Sequence, residues 1–249
     1  MIKFFRKIRY NLMETGKTGK YFKYAIGEII LVVIGILIAL QINNWNENNK
    51  QERKAKNYLE ALKIELVDNS MKMEFISKRA RKDLKIAVKL LKDLNDESVI
   101  IDNEYMNHTR LIPIYKYELG NSVLLDIVSS GALDNLPNEN LKRKILNVHQ
   151  LYQNYDKSYL NAKDTWDKYL LPYLNQHMNV TNLWDSLSVV KMPKLKYKNN
   201  LEAFVNNKTF ANILASRMRM LANIDNGMER SKPKIEALIT DIENYLSND

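Results

Sequence analysis

The chain has 249 residues, of which 45% are apolar and 27% charged, and it carries a net charge of +9 with no cysteine. This composition excludes a fully disordered chain and a wholly membrane-embedded one, and the length suffices for one sizeable domain plus an anchor. The lack of cysteine excludes disulfides, thiolate zinc sites, iron–sulfur clusters and cysteine nucleophiles.

Most of the positive charge precedes the first apolar run. Residues 1–23 contain seven bases and one acid, a net +6, which leaves +3 for the rest of the chain. A nucleic-acid binder would carry a basic stripe on its folded domain, so we expect no nucleic-acid partner. Apolar residues at helical spacing predict a basic amphipathic helix over the first dozen residues, lying on the anionic cytoplasmic leaflet within a cytoplasmic segment 1–20. A loop at Gly16 and Gly19 would then turn the chain into the bilayer. The basic residues are Lys3, Arg6, Lys7, Arg9, Lys17, Lys20 and Lys23.

Residues 21–46 read as a transmembrane helix. The 18 residues from Ile29 to Asn46 carry no charge, and as a helix they measure about 27 Å, close to the hydrocarbon thickness. Apolar side chains on all faces argue against a buried soluble helix, and no small-residue cleavage site follows Ala39, which argues against a cleaved signal peptide. Aromatic residues mark the two predicted interfaces: Tyr21, Phe22, Tyr24 and Trp45.

The positive-inside rule predicts the orientation of this helix. Basic residues stay in the cytoplasm, so the N-terminus is expected inside and residues 47–249 outside. In a bacterium with two membranes the chain would be an uncleaved, single-pass inner-membrane protein with a periplasmic C-terminal domain.

Polar and small residues within the span suggest more than an anchor. Glu28 allows two interpretations: an interfacial carboxylate near lysines, or a member of an ion or proton path, which would require several copies around a shared centre. Four residues that recur every four positions, including the small pair Gly35 and Ala39, predict a face for self-association, and polar residues near the outer end could add interhelical hydrogen bonds. The predicted packing residues are Gly27, Leu31, Gly35 and Ala39, and the outer polar residues are Gln41, Asn43 and Asn44.

The C-terminal domain is predicted to be all-α. Apolar residues alternate at 3–4 spacing over 59–94, 141–173 and 210–245, which predicts three long helices in an antiparallel, up-down-up bundle. The first stripe includes Leu84 and Leu91. A shorter helix over 121–130 would pack as a partial fourth, ending at Gly131, and Pro137 would start the next helix. Pro172 and Pro233 should kink or break their helices, and the pattern allows the first helix to continue from the span through residues 46–56.

The connectors 96–118 and 179–200 interrupt these patterns. "ESVIID" and "LSVV" favour short strands, and ordered connectors of this length often carry binding function.

The chain carries none of the common catalytic motifs. No H-E-x-x-H, G-x-S-x-G, P-loop or G-x-G-x-x-G is present, so we expect neither an enzyme nor a cofactor or metal. His149 reads as a helix-surface or packing residue. The aromatic run from Tyr152 to Tyr173 reads as core filler with hydroxyls at the bundle rim, or less simply as the lining of a ligand cavity. Asn69 and Arg217 at stripe positions would set register, and Glu60, Glu65 and Asp68 read as a solvated face.

Several stretches resemble a known family. "MIKFFRKIRY" and "GKYFKYAIGEIILVVIGILIALQINNWNE", and more loosely "VSSGALDNLPNENLKRKIL" and "NKTFANIL", resemble single-pass membrane proteins with a domain of unknown function that are common in Bacteroidota, especially flavobacteria. The resemblance implies source and localisation but no activity. It also implies that seven residues of the span belong to a recurring motif: Gly27, Glu28, Gly35, Gln41, Asn43, Asn44 and Trp45.

Two functions follow as expectations. The first is a self-associating inner-membrane protein whose periplasmic bundle is an interaction, scaffold or sensory module, with the lipid bilayer, further copies of itself and a possible periplasmic protein as partners. The alternative is a homo-oligomeric ion channel or ion-coupled complex subunit that uses Glu28 with Gln41, Asn43 and Asn44.

Overall fold

The computed structural model describes residues 10, 18–109, 111, 114–136, 138–179 and 195–247. Helices make up 83% of these residues and no β-strand occurs among them, which confirms the all-α prediction. The chain divides into two compact units, Met1–Ala55 and Lys56–Asp249. The predicted amphipathic helix over the first dozen residues lies outside the described residues, except for Tyr10.

Helix α1 is by far the longest element. It runs for 76 residues from Thr18 to Asp93, so the predicted span and the predicted first stripe belong to one helix. The loop predicted at Gly19 is wrong, because Gly19 is already helical. Gly16 lies outside the described residues.

Short elements fill the first connector. Helix α2 spans Asn103–His108 and is capped by the side chain of Asp102, which accepts a hydrogen bond from the Tyr105 N–H. The strand predicted at "ESVIID" is wrong, because residues 97–102 form turns and the cap of α2. The strand predicted at "LSVV" lies outside the described residues.

The predicted short helix is confirmed. Helix α3 spans Ser122–Ser129 and a 3-10 turn follows at Ala132–Asn135. Gly131 between them has φ +70°, the left-handed conformation that favours glycine just past a helix end. Pro137 lies outside the described residues.

The second long helix contains a π-turn. Helix α4 spans Glu139–Thr165, a π-turn spans Trp166–Leu170, and helix α5 spans Leu171–His177 with a proline in its first turn. Wider i→i+5 bonding in a π-turn inserts one extra residue into the helix. Pro172 therefore follows an irregular turn instead of breaking a regular helix.

The π-turn shifts the buried stripe by one residue. Regular 4-3 spacing placed Tyr169 and Tyr173 inward, whereas the core residues are Leu170 and Leu174. The Leu170 side chain is 1% exposed and that of Tyr169 is 59% exposed. The prediction was wrong for Tyr169 because it assumed 3.6 residues per turn throughout.

The last long helix, α6, spans Lys208–Ser247 and runs antiparallel to α1. Pro233 lies inside it, and the helix continues past it. Residue numbers that rise along α1 fall along α6. The joining pairs are Lys63 with Glu243, Glu74 with Lys232, and Arg81 with Asp225.

Helix α4, in contrast, runs parallel to α1, so the predicted up-down-up order is wrong. Asn69 contacts Tyr152, Ala80 and Tyr159 line the same small cavity, and further along Leu90 shares a core cluster with residues of the π-turn and α5. Residue numbers therefore rise together on the two helices. Only α6 is antiparallel to the other two.

The first connector makes this parallel order possible. After Leu94 it travels back along α1, so that Tyr117 stacks edge-on with Phe75 and Gly120 bonds Asn69. From Leu94 back to the level of Asn69 the connector covers about 40 Å along α1, a distance that an extended chain spans in roughly a dozen residues. Residues 94–121 supply more than that. The connector is a return strut, and α4 starts again from the same end as the bundle portion of α1.

The shifted stripe gives a direct prediction. Leu170→Ala should lower the free energy of unfolding by about 2–5 kcal/mol because it opens a cavity in a packed core. Tyr169→Ala, one residue earlier, should cost no more than about 0.5 kcal/mol because it changes an exposed side chain. Urea unfolding of the full chain in mild detergent measures both, and equal losses would contradict the π-turn register.

Candidate functional site

The predicted packing face of the span is open. Leu31, Gly35 and Ala39 are exposed and Gly27 is half-buried. A Cβ built at Gly27 or Gly35 would meet no atom within 4 Å. The described part of the chain therefore offers nothing that covers this face.

The other predicted residues of the span are distributed as follows. Gln41, Asn43 and Asn44 are exposed, as are the anchors Phe22 and Trp45. Lys23 is exposed, whereas the side chains of Lys20, Tyr21 and Tyr24 and all of Lys3, Arg6, Lys7, Arg9 and Lys17 lie outside the described residues. Glu28 is half-buried and takes part in at least one polar or ionic interaction.

In the C-terminal unit, Asn69 organises a buried polar node. Its Nδ2 donates to the Gly120 carbonyl oxygen (2.6 Å) and to the Tyr152 hydroxyl (2.6 Å), while its Oδ1 accepts from the Gly120 N–H (2.7 Å). The side-chain amide thus pairs with both polar groups of one glycine and ties the return strut to α1 and α4. Burial raises the pKa of the Tyr152 hydroxyl, which stays neutral and able to accept this bond. The prediction that Asn69 sets register agrees with this geometry.

Glu65 has a role that the sequence did not indicate. Its carboxylate accepts hydrogen bonds from the Val123 N–H (3.0 Å), the Leu124 N–H (3.3 Å) and the Ser122 hydroxyl (3.2 Å). It therefore caps the start of α3 from another helix, at the end where a carboxylate is favoured by the helix dipole. The solvated-face interpretation was wrong for Glu65, although Glu60 and Asp68 are exposed.

A buried charge cluster lies further along α1. Arg217 of α6 is buried, with its guanidinium 5.9 Å from the centre of the Trp166 ring. Burial lowers the pKa of Arg217 to about 10, while the charge of Asp83 opposes that shift. Asp83 also pairs with Arg79 at 3.4 Å. At neutral pH Arg217 is charged, and the cluster is an internal ion group between α1 and α6.

Asp83 also corrects the predicted stripe of α1. The apolar pattern placed Leu84 and Leu91 inward, but the buried positions are Asp83 and Leu90. Strict alternation of three- and four-residue steps continues through the charged residue. The prediction missed Asp83 because it took only apolar residues as members of the stripe.

A small cavity adjoins this cluster. It has a volume of about 30 Å³ and is lined by Asp83, Arg79, Tyr115, Tyr155 and Tyr159 among others. That is room for about one water molecule, far below the several hundred Å³ of a ligand pocket. Burial raises the pKa of Tyr155 to about 12, and its hydroxyl accepts from the Tyr117 N–H inside the bundle and not at the rim.

His149 and the metal-binding side chains were the remaining candidates for a chemical role. His149 is half-buried and bonds Gln153 on the same helix, which fits the helix-surface interpretation. Among the described residues no group of three metal-binding side chains is assembled.

Polar residues line the seam between α1 and α6. Lys232 bonds Glu74 at 2.8 Å, and together with Lys78 it lowers the pKa of Glu74 to about 2. Ser77 donates to Asp225 at 2.6 Å, and Arg81 clamps the same carboxylate. This seam fixes the register of the two helices through matched pairs and not through apolar contact alone.

The node at Asn69 predicts a large effect for one substitution. Asn69→Leu should lower the free energy of unfolding by at least about 2 kcal/mol, because both polar groups of Gly120 lose their buried partner. Tyr152→Phe is the matched control and should cost about 0.5–1.5 kcal/mol, because it removes a single bond. Denaturant unfolding of the full chain measures both, and an Asn69→Leu chain as stable as the wild type would contradict the node.

Comparison with known proteins places the chain in one family. Searches of curated proteins and of solved structures returned no match. A family of unknown function, DUF6090, matches residues 28–173. The matched segment starts at Glu28, contains most of the span, Glu65, Asn69, the return strut and α4, and ends at Tyr173. Because the match covers more than half of the sequence, the chain belongs to the DUF6090 family.

Proposed function

We propose that this protein is a single-pass inner-membrane protein that self-associates, and that its periplasmic helical bundle is a non-enzymatic interaction, scaffold or sensory module. One observation carries the membrane part of this proposal. The large apolar side chains from Ile29 to Trp45 are each 45–66% exposed, on every face of the helix. Such a surface is far larger than water tolerates and is typical of a segment solvated by lipid.

Length and composition agree with this assignment. One helix near the N-terminus is long and apolar enough to cross a membrane, as judged over the described residues. The charge asymmetry before the span favours a cytoplasmic N-terminus.

Self-association is supported by the open small-residue face. Gly27, Gly35 and Ala39 would let two helix backbones approach closely, and lipid provides no stronger partner for such a face. The outer amides at Asn43 and Asn44 could add hydrogen bonds between copies. The half-buried position of Glu28 near the predicted cytoplasmic interface favours an interfacial carboxylate over an ion path.

The absence of native cysteines allows a direct test of topology. Single cysteines at Lys23 and at Leu160, both exposed, should behave oppositely in intact cells. A membrane-impermeant maleimide should label Leu160→Cys and leave Lys23→Cys unlabelled until the inner membrane is opened. Carbonate extraction should leave both chains in the membrane fraction. If only Lys23→Cys were labelled, the topology would be the opposite of the proposed one. Release of the chain by carbonate would contradict membrane insertion.

Single cysteines also test self-association. Ala39→Cys lies on the small-residue face and should form disulfide-linked dimers on mild oxidation in membranes, whereas Leu37→Cys on the opposite side should form few. Adding Gly35→Leu to Ala39→Cys should reduce crosslinking severalfold because it blocks close approach. Equal crosslinking at both positions, or no effect of Gly35→Leu, would contradict this face. Glu28→Gln serves as a control that should leave crosslinking unchanged.

A further inference from the structure

The bundle portion of α1 carries a second stripe on the side away from the core. Four large apolar residues of this stripe are 42–70% exposed: Ile64, Val67, Met71 and Phe75. Four exposed lysines continue the stripe at the same 3–4 spacing: Lys78, Lys82, Lys85 and Lys89. We call these eight residues the outer stripe of α1. It is about 38 Å long and is apolar in its first half and basic in its second.

Internal contacts do not account for this stripe. Phe75 packs edge-on against Tyr117 with ring centres 5.0 Å apart, which fixes an aromatic platform but leaves half of Phe75 exposed. Lys78 bonds Glu74, and Lys89 pairs with Asp93. In the described part of the chain, Lys82 and Lys85 form no ion pair. An exposed apolar line next to available cationic charge is the pattern of a docking surface.

The shape of the stripe selects a helix as its occupant. The apolar half is a single narrow line of side chains, with the charged residues Asp68 and Lys72 beside it and Glu60 preceding it on the same line. A helix that lies in a lipid surface needs a broad apolar face, whereas a seam at 3–4 spacing is what a second helix packs against. The four lysines favour a helix with negative charge, because its carboxylates would lie opposite the lysine half of the stripe.

A second copy of this chain fits the stripe poorly. Parallel copies would set lysines opposite lysines. Antiparallel copies centred on Met71 would set Glu60 opposite Lys82, but Asn57 and Arg53 opposite Lys85 and Lys89. Like charges along such a seam are unfavourable.

From these observations we infer that the outer stripe of α1 binds an acidic amphipathic helix of a different protein. The apolar residues of that helix would pack on the Phe75 platform and its carboxylates would bond the four lysines. This inference rests on the proposed role of the bundle as an interaction module, and it names the chemistry of the partner. It does not depend on the small-residue face of the span.

A synthetic probe tests the inference on the full chain in detergent micelles. The probe is a four-heptad peptide with Leu and Ile at seam positions in one half and Glu along the seam in the other. The same sequence is also made in reverse, to allow either chain direction, and a control peptide carries Lys in place of Glu. We expect fluorescence anisotropy to show binding of one acidic peptide, weakened by added salt, and no binding of the lysine peptide.

Protein variants locate the binding. Met71→Glu and the double variant Lys82→Glu/Lys85→Glu should each weaken binding at least tenfold. Leu160→Glu, an exposed apolar position on α4, is the matched control and should change nothing. The charge-reversed double variant should bind the lysine peptide, a rescue that misfolding of the variant could not produce.

Four results would overturn the inference. These are the absence of binding by either acidic peptide, equal binding by wild type and stripe variants, attachment of anionic phospholipid vesicles through the lysines without peptide binding, and a homodimer that Met71→Glu dissociates. None of them alters the expected membrane extraction, labelling or crosslinking through Ala39→Cys. Failure of the partner inference is thus distinguishable from failure of the proposed membrane anchor and self-association.

Discussion

The bundle depends on one polar contact, the pairing of the Asn69 amide with both polar groups of Gly120. The N–H and C=O of the half-buried Gly120 need partners where water has limited access, and a side-chain amide supplies a donor and an acceptor at once. The contact holds the return strut against α1. Because the strut covers the length of the helix before α4 begins, α4 can run parallel to α1. Glu65 completes the arrangement one turn earlier by capping α3, so the strut is fixed at its end by two side chains of one helix face.

Two charged residues are buried further along the bundle, between α1 and α6. Asp83 and Arg217 occupy buried positions that a heptad would fill with leucine, and taking two charges out of water costs free energy that an ion pair offsets only where its geometry is good. Replacing a buried ion pair by apolar residues of similar volume often leaves the stability of the folded protein unchanged or raises it. The Asp83–Arg217 pair is therefore better explained by specificity than by stability. A charged layer penalises any alternative register of α6 against α1, where Arg217 would face leucine. The matched ion pairs further along the seam act in the same direction.

Sequence patterns predicted helix existence and length well, and topology poorly. The stripes at 59–94, 141–173 and 210–245 and the short helix before Gly131 correspond to observed helices, because apolar periodicity reports burial of one face. The π-turn at Trp166–Leu170 was missed because nothing local distinguishes an inserted residue from regular spacing. The direction of α4 was missed because connector length permits either a tight reversal or a return strut. The cap at Glu65 depends on a residue 58 positions away, which no local pattern encodes.

Exposed apolar surface occurs twice on α1, and its distribution differs in kind. Between Ile29 and Trp45 the exposed apolar side chains surround the helix, which is typical of a segment that contacts lipid on all sides. Between Ile64 and Phe75 it is a single line, with polar residues on both sides and the bundle core behind it. A line of this width matches the seam of another helix and is too narrow to favour lipid. In the proposed function the first surface contacts lipid, and in the partner inference the second binds a helix whose negative charge complements the lysines that follow Phe75.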